Sequence, residues 1–256
     1  MSRKKIAIIL MSTLLAVGII GGSLAYFTSQ DMVSNRFATT GDDENDGSDI
    51  KIVECFNEYQ ASKIEPGSDI KKLVQVQNTD QYNQLIKVRF EVELLDEYGE
   101  KVDAIQTYKY EEQNETGAMT KVETQITAED LKDNLIAHFA DGNIINTLPT
   151  DSSSKWYNKD SINTLDSEYY YLGFIEPEKY TVKLLESVEL NPEAGIEFKG
   201  IHFNVNVIAD GVQASNNAFS SVFSIDDSNI LYSSLEVAQS SNGSVELDEE
   251  NIQFLE

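Results

Sequence analysis

The sequence predicts an all-β protein, a jelly-roll-type β-sandwich with a mid-chain insertion carrying one or more short helices. Three observations carry that expectation. Apolar residues alternate with polar ones in long runs, the period of a strand with one face on a core and one in water. Turn residues punctuate the runs, as Pro66-Gly67 does. Only one stretch has helical spacing. Half-buried strands of this kind belong to antiparallel sheets, and eight or more of them with little helix form a sandwich.

The clearest strand is Ile86–Leu94, where Ile86, Val88, Phe90, Val92 and Leu94 alternate with Lys87, Arg89, Glu91 and Glu93. Ile201, Phe203, Val205, Val207 and Ala209 alternate with His202, Asn204, Asn206 and Ile208. Tyr180, Val182, Leu184, Val188 and Leu190 follow the same rule, broken at Glu186. Weaker strands are expected at Ile50–Phe56, Ile70–Gln77, Ala104–Tyr110, Tyr169–Phe174 and Phe219–Ser224. The helix is expected after Thr127, a fitting N-cap with Asp130 three residues on. Leu131, Leu135, His138 and Phe139 recur at helical spacing, and Gly142 stops it. This helix falls in a polar stretch, about 111–168, read as an insertion between sheet strands.

Residues 1–26 read as a secretory signal peptide. Arg3, Lys4 and Lys5 precede an apolar run, Ile6–Ile20, and the small residues Gly21, Gly22, Ser23 and Ala25 follow. The run is shorter than the roughly twenty residues a membrane span needs. Cleavage is expected between Ala25 and Tyr26, or one bond later, and the product is extracellular; the membrane is met only through the uncleaved signal. Residues 27–49 form an extended arm, with Phe27, Val33 and Phe37 on one strand face, and an acidic linker, Gly41–Asp49. The sandwich is expected over 50–225 and an acidic tail over 226–256.

The 256-residue chain has 44 acidic and 19 basic side chains, a formal charge of −25. No acidic residue precedes Phe27, so the part beyond residue 26 has 16 basic and 44 acidic groups and a charge of −28. Phosphate backbones repel such a chain, which excludes nucleic-acid binding. The single cysteine, Cys55, permits no intrachain disulfide. It reads as a buried, inert thiol. No HExxH, GxSxG, GxxxxGK[ST] or GxGxxG occurs. His138 and His202 fall in separate elements, so no catalytic, metal or cofactor residues are assigned. Asp42–Gly47 opens like a calcium loop, but Val53 stands where a bidentate glutamate belongs, and a solvated linker is the better reading. Leu148-Pro149-Thr150-Asp151 lacks the glycine and the tail of a sortase signal.

Four stretches together resemble one family. Gly21–Thr28 with Asn35-Arg36-Phe37 looks like the export signal read by the dedicated signal peptidase of TasA and camelysin proteins. Glu65-Pro66-Gly67-Ser68, Val74–Asn78 and Ile86–Phe90 resemble that family's PG turn, its strand ending in Asn and its following V-R strand. Trp156-Tyr157 before Tyr169-Tyr170-Tyr171, and Glu176-Pro177-Glu178 before Val182–Leu185, are similar to later parts. Asn204–Ala214 resembles its last core strand. The resemblance covers roughly residues 15–220 and is nearest to the clostridial, BsaA-like branch. It implies a jelly-roll subunit, secreted by Gram-positive bacteria, that polymerises into biofilm-matrix or pilus-like fibres. The partners so implied are the signal peptidase and other copies of the chain, joined head to tail by donor strands. Phe27, Val33 and Phe37 are then the donor anchors. Two alternatives stand beside this: a camelysin-like secreted metallopeptidase, for which the chain offers no zinc motif, and a monomeric cell-surface binding module.

Overall fold

The computed structural model describes residues 28–33, 50–56, 64–112, 119–149 and 153–248, with the backbone alone at 28–33 and 112. Two long strands make its centre. β4 (Gln84–Leu95) and β13 (His202–Gln213) pair antiparallel along their whole lengths, from Gln84↔Gln213 to Leu95↔His202. Directly opposed residues share a face. The alternation therefore sends Ile86, Val88, Phe90, Val92 and Leu94 to the same side as Phe203, Val205, Val207 and Ala209, all in one buried cluster.

β1 (Thr28–Val33) flanks β13. On the other side of β4 come β11 (Tyr169–Tyr171), β10 (Trp156–Asn158) and β9 (Ile144–Ile145), with β5 (Lys101–Val102) on the far end of β4. These make a seven-stranded sheet. The facing sheet has the order β2 (Ile50–Phe56), β3 (Asp69–Asn78), β12 (Leu185–Leu190) and β8 (Leu135–Phe139). It turns Ile50, Ile52, Ile70, Val74, Val76, Leu185 and Val188 into the same cluster. All pairings between these named strands are antiparallel except β9 with β10. The result is an all-β sandwich. β6 (Ala104–Glu112) and β7 (Met119–Thr127) form a separate two-stranded ribbon. It leans on a short 3-10 helix, Ile196–Phe198, where Thr107 Oγ1 donates to Glu197 O at 3.0 Å.

Local chemistry fixes the ends of the elements. Pro66-Gly67 makes the turn into β3, with Gly67 at φ +81° and Ser68 N donating to Glu65 O at 2.8 Å. Asn78 ends β3 fully buried, and its Nδ2 donates to Ile175 O at 2.7 Å and to Tyr82 O at 2.8 Å. The break read at Glu186 is a bulge, a register shift between Leu185 and Ser187.

Several expectations are corrected. The helix after Thr127 is real but short. α1 spans Ala128–Asp133, with Thr127 and Asp130 in a reciprocal capping box. Leu135, His138 and Phe139 lie beyond it in β8, which pairs with β12. Leu135, Ala137 and Phe139 are two apart as well as near the helical repeat, and pairing with β12 decides for the strand. The stretch 111–168 supplies strands to both sheets, β8 to one and β9 and β10 to the other. Phe219–Ser224 is not a strand: α2 (Phe219–Val222) stands there. Tyr180 makes only isolated bridges, to Gln77 and Val245.

The C-terminal stretch is built into the domain as far as Asp248. α2 and α3 (Tyr232–Ala238) bring Phe219, Phe223, Leu231, Leu235 and Ala238 onto Leu85, Tyr157, Tyr170, Leu172 and Val212 on the outer face of the seven-stranded sheet, a second buried cluster. Beyond α3 the chain bridges Phe174 at Asn242 and Tyr180 at Val245. Gly243 crosses Gly173 there. A Cβ on Gly173 meets Gly243 Cα at 2.8 Å, and a Cβ on Gly243 meets Tyr171 Cε1 at 2.7 Å. Tyr171 Oη locks the crossing by donating to Gly243 O at 2.7 Å.

Candidate assembly interface

The edge of β13 is the feature of the fold most suited to binding another strand. On the side away from β4, residues Val207–Val212 face β1 in antiparallel register, Thr28↔Val212 through Val33↔Val207. This edge carries apolar residues on both faces, interrupted by Asp210, which pairs with Lys87 at 3.2 Å. Val207 and Ala209 belong to the inter-sheet core, while Ile208 and Val212 are buried on the opposite face. An apolar strand with unpaired N–H and C=O groups is sticky, so it demands a partner. β1 supplies one from residues 28–33. It also runs beside β2, the edge strand of the facing sheet, with Cα atoms within 8 Å. β1 thus closes the side of the sandwich where both sheets end.

Of the candidate anchors, Val33 lies on β1 opposite Val207. Phe27 and Phe37 lie outside the described residues, as do the cleavage residues Ala25 and Tyr26 and the linker with Asp42–Gly47. No signal in the sequence marks β13 as the receiving edge. Its alternation reads as an ordinary core strand, and the identity of its neighbours depends on topology.

The remaining singled-out residues do not converge. His138 Nε2 lies 2.9 Å from Glu189 Oε2 on the outer face of the four-stranded sheet. His202 sits at the start of β13 opposite Leu95. Cys55 is buried on β2. Among the described residues, no group of three or more His, Cys, Asp or Glu is placed to hold a metal ion. No described helix is long and apolar enough to cross a membrane.

Two ionic clusters flank the core. On the outer face of β4 and β13, Lys101 Nζ reaches Glu93 at 2.6 Å and Glu91 at 3.1 Å. Burial pushes the Glu93 carboxyl up. Hydrogen bonds from Lys101, Asn206 and Asn204 and the lysine charge outweigh it, and the carboxyl lies below its usual range. Inside the sandwich, Lys72 is fully buried and points at Glu54, with Nζ–Oε distances of 2.9 and 3.1 Å. It also lies over the Phe56 ring at 5.3 Å. Burial lowers the Lys72 pKa, and the Glu54 carboxylate opposes that shift.

The arrangement can therefore hold an extended strand through main-chain hydrogen bonds and alternate apolar contacts. Comparison of the chain with protein-family profiles, with curated proteins and with solved structures finds no match.

Proposed function

We propose that this chain is a secreted structural subunit that polymerises head to tail into extracellular fibres. Each subunit gives its N-terminal strand to the β13 edge of the next. The single observation that supports the reading is the six-residue pairing of β1 with β13. This strand comes from the start of the chain and is separated from β2 by 16 residues. Sixteen residues reach up to about 55 Å when extended, enough to give the strand to a neighbour in place of its own edge. Each apolar anchor buried in the partner contributes about 1.5–3 kcal/mol. Three anchors and a ladder of backbone bonds act against the cost of association and the repulsion between subunits of charge −28. The proposal includes a jelly-roll winding of the two sheets, export through the signal peptide, and no enzymatic activity.

A monomeric cell-surface module is the second reading. The pairing within one chain favours it, because β1 is then simply an edge strand. Electron microscopy of the secreted protein, with and without residues 27–40, separates the two. Fibres from the intact protein and soluble monomers from the shortened one are expected. Raised salt is expected to speed fibre growth by screening the repulsion. Fibres of the same width from the shortened protein would overturn the donor role, and monomers from both would leave the surface module.

A further inference from the structure

The β6–β7 ribbon has two faces of different character. Directly opposed residues share a face. Ile105↔Ile126, Thr107↔Thr124 and Lys109↔Val122 lie on the face that leans on the 3-10 helix. Gln106↔Gln125, Tyr108↔Glu123 and Tyr110↔Lys121 lie on the other. Burial follows the same alternation. Thr120, Val122 and Thr124 are half-buried and Ile126 is buried, whereas Met119, Lys121, Glu123 and Gln125 are exposed. The exposed face carries an aromatic pair, Tyr108 and Tyr110, with ring centroids 5.8 Å apart. The Lys121 ammonium rests over the Tyr108 ring at 3.8 Å.

β7 has a free edge. Among the described residues its one strand neighbour is β6, and no backbone hydrogen bond leaves Met119–Gln125 for any other element. The ribbon's one ion pair among those residues joins Lys109 to Glu111, which leaves Glu123 without a counter-charge. Met119 is 62% exposed. A two-stranded ribbon by itself is marginally stable, and a row of unpaired N–H and C=O groups is a template for a further strand.

We propose that the outer edge of β7 pairs antiparallel with the same edge of a second copy of the chain, about a twofold axis through Val122. In that register Val122 meets its own counterpart, Thr120 meets Thr124, Met119 meets Gln125, and Lys121 meets Glu123 on both sides of the axis. Every Lys121 and Glu123 in the pair then faces an opposite charge, and the carboxylate that has no partner in one chain gains one from the other. Opposite charges and threonines are favourable cross-strand pairs, and like charges directly opposed are not. Moving the axis one residue either way sets Lys121 against Lys121 or Glu123 against Glu123, so the charges select a single register. A second copy is favoured over an unrelated strand because the edge carries its own complement. The contact is isologous and closes on itself. It is a lateral joint between subunits and makes no use of the β13 edge. A ladder of seven residues is short, so the pair is weak and forms at high local concentration.

Disulfide trapping reads the register. In the full chain, Val122→Cys and Met119→Cys are made separately and oxidised with diamide at high protein concentration. Opposed Cα atoms of an antiparallel pair lie about 4.5–5.5 Å apart, within reach of a disulfide. Position 119 and its counterpart are six residues out of step, about 20 Å. Dimers are expected from Val122→Cys, at least about tenfold more slowly from Met119→Cys, and not from the native chain, whose Cys55 is buried. No dimer from Val122→Cys, or equal rates from the two positions, overturns the proposal. Dimers from Lys109→Cys in place of Val122→Cys assign the contact to β6 and overturn it as well. Charge exchange gives a second readout. Added to Val122→Cys, either Lys121→Glu or Glu123→Lys sets like charges on both sides of the axis and is expected to slow trapping about fivefold or more. Both changes in one chain, or a mixture of the two singly changed chains, are expected to restore it. Trapping that ignores the single changes, or that stays slow in the exchanged chain, contradicts the pairing. None of these positions lies on β1 or β13, so the result stands apart from the head-to-tail reading.

Discussion

Replacing Glu54 by leucine leaves the Lys72 ammonium inside the sandwich without its carboxylate. Lys72 is fully buried and the Glu54 side chain is 6% exposed, so water cannot take the place of the lost contacts at 2.9 and 3.1 Å. The Phe56 ring at 5.3 Å offers about 2 kcal/mol of cation–π attraction, less than the lost ion pair. Breaking one side of a buried pair costs about 3–5 kcal/mol. For a domain of this size that is a fall of about 6–20 °C in Tm. Glu54→Leu combined with Lys72→Met removes both charges and keeps most of the volume, so the double variant is expected to recover the loss and to equal or exceed the native chain. The pH dependence has a definite sign. The folded pKa of Lys72 lies below the unfolded value of 10.5. Between the two values the unfolded chain holds the extra proton, so stability rises with pH across that window. Loss of Glu54 removes the influence that opposes the shift, and the window widens downwards. Urea titrations of the three proteins at pH 7 and pH 10 measure all of this. A loss below about 1 kcal/mol in Glu54→Leu, with no pH dependence, would falsify the account of a desolvated ion pair.

Gly243→Ala places a methyl 2.7 Å from Tyr171 Cε1 and 3.0 Å from Gly173 Cα. Overpacking of this kind costs about 1–3 kcal/mol, so calorimetry is expected to show Tm lower by about 2–12 °C. Thr127→Ala removes the oxygen that accepts from Asp130 N and is expected to cost about 0.5–2 kcal/mol in urea unfolding, while Thr127→Ser restores most of it.

The strands legible in the sequence were those whose alternation is long and whose partners are long. Ile50–Phe56 matches β2 residue for residue, and Ile86–Leu94 lies within β4. Where a short apolar set fits two periods, local reading fails. Leu131 and Leu135 are four apart, yet one belongs to α1 and the other to β8, because Asn134 caps the helix and β12 offers a ladder. The spacing of Phe219, Val222 and Phe223 is helical, as is that of Leu231, Leu235 and Ala238. An acidic run further on draws attention away from both. The receiving edge of β13 had no local signature at all, because which strand lies beside it depends on pairing across 180 residues.

That separation governs how the chain can fold. Thr28 pairs with Val212, Gln84 with Gln213, and Gln75 accepts from Asp248, 173 positions later. Contacts so distant in sequence close large loops before any of them is rewarded, so folding belongs to the slow, millisecond-to-second regime of β-rich topologies. A chain emerging from its N-terminus presents β2, β3 and β4 long before β13 exists. The β2–β3 pairing forms early, but the central ladder of the larger sheet waits for the last fifth of the sequence. Until then β4 keeps its whole β13 edge open. For this protein the dangerous interval lies between the synthesis of β4 and the arrival of β13, and its acidic surface, which repels neighbouring chains, is most useful then.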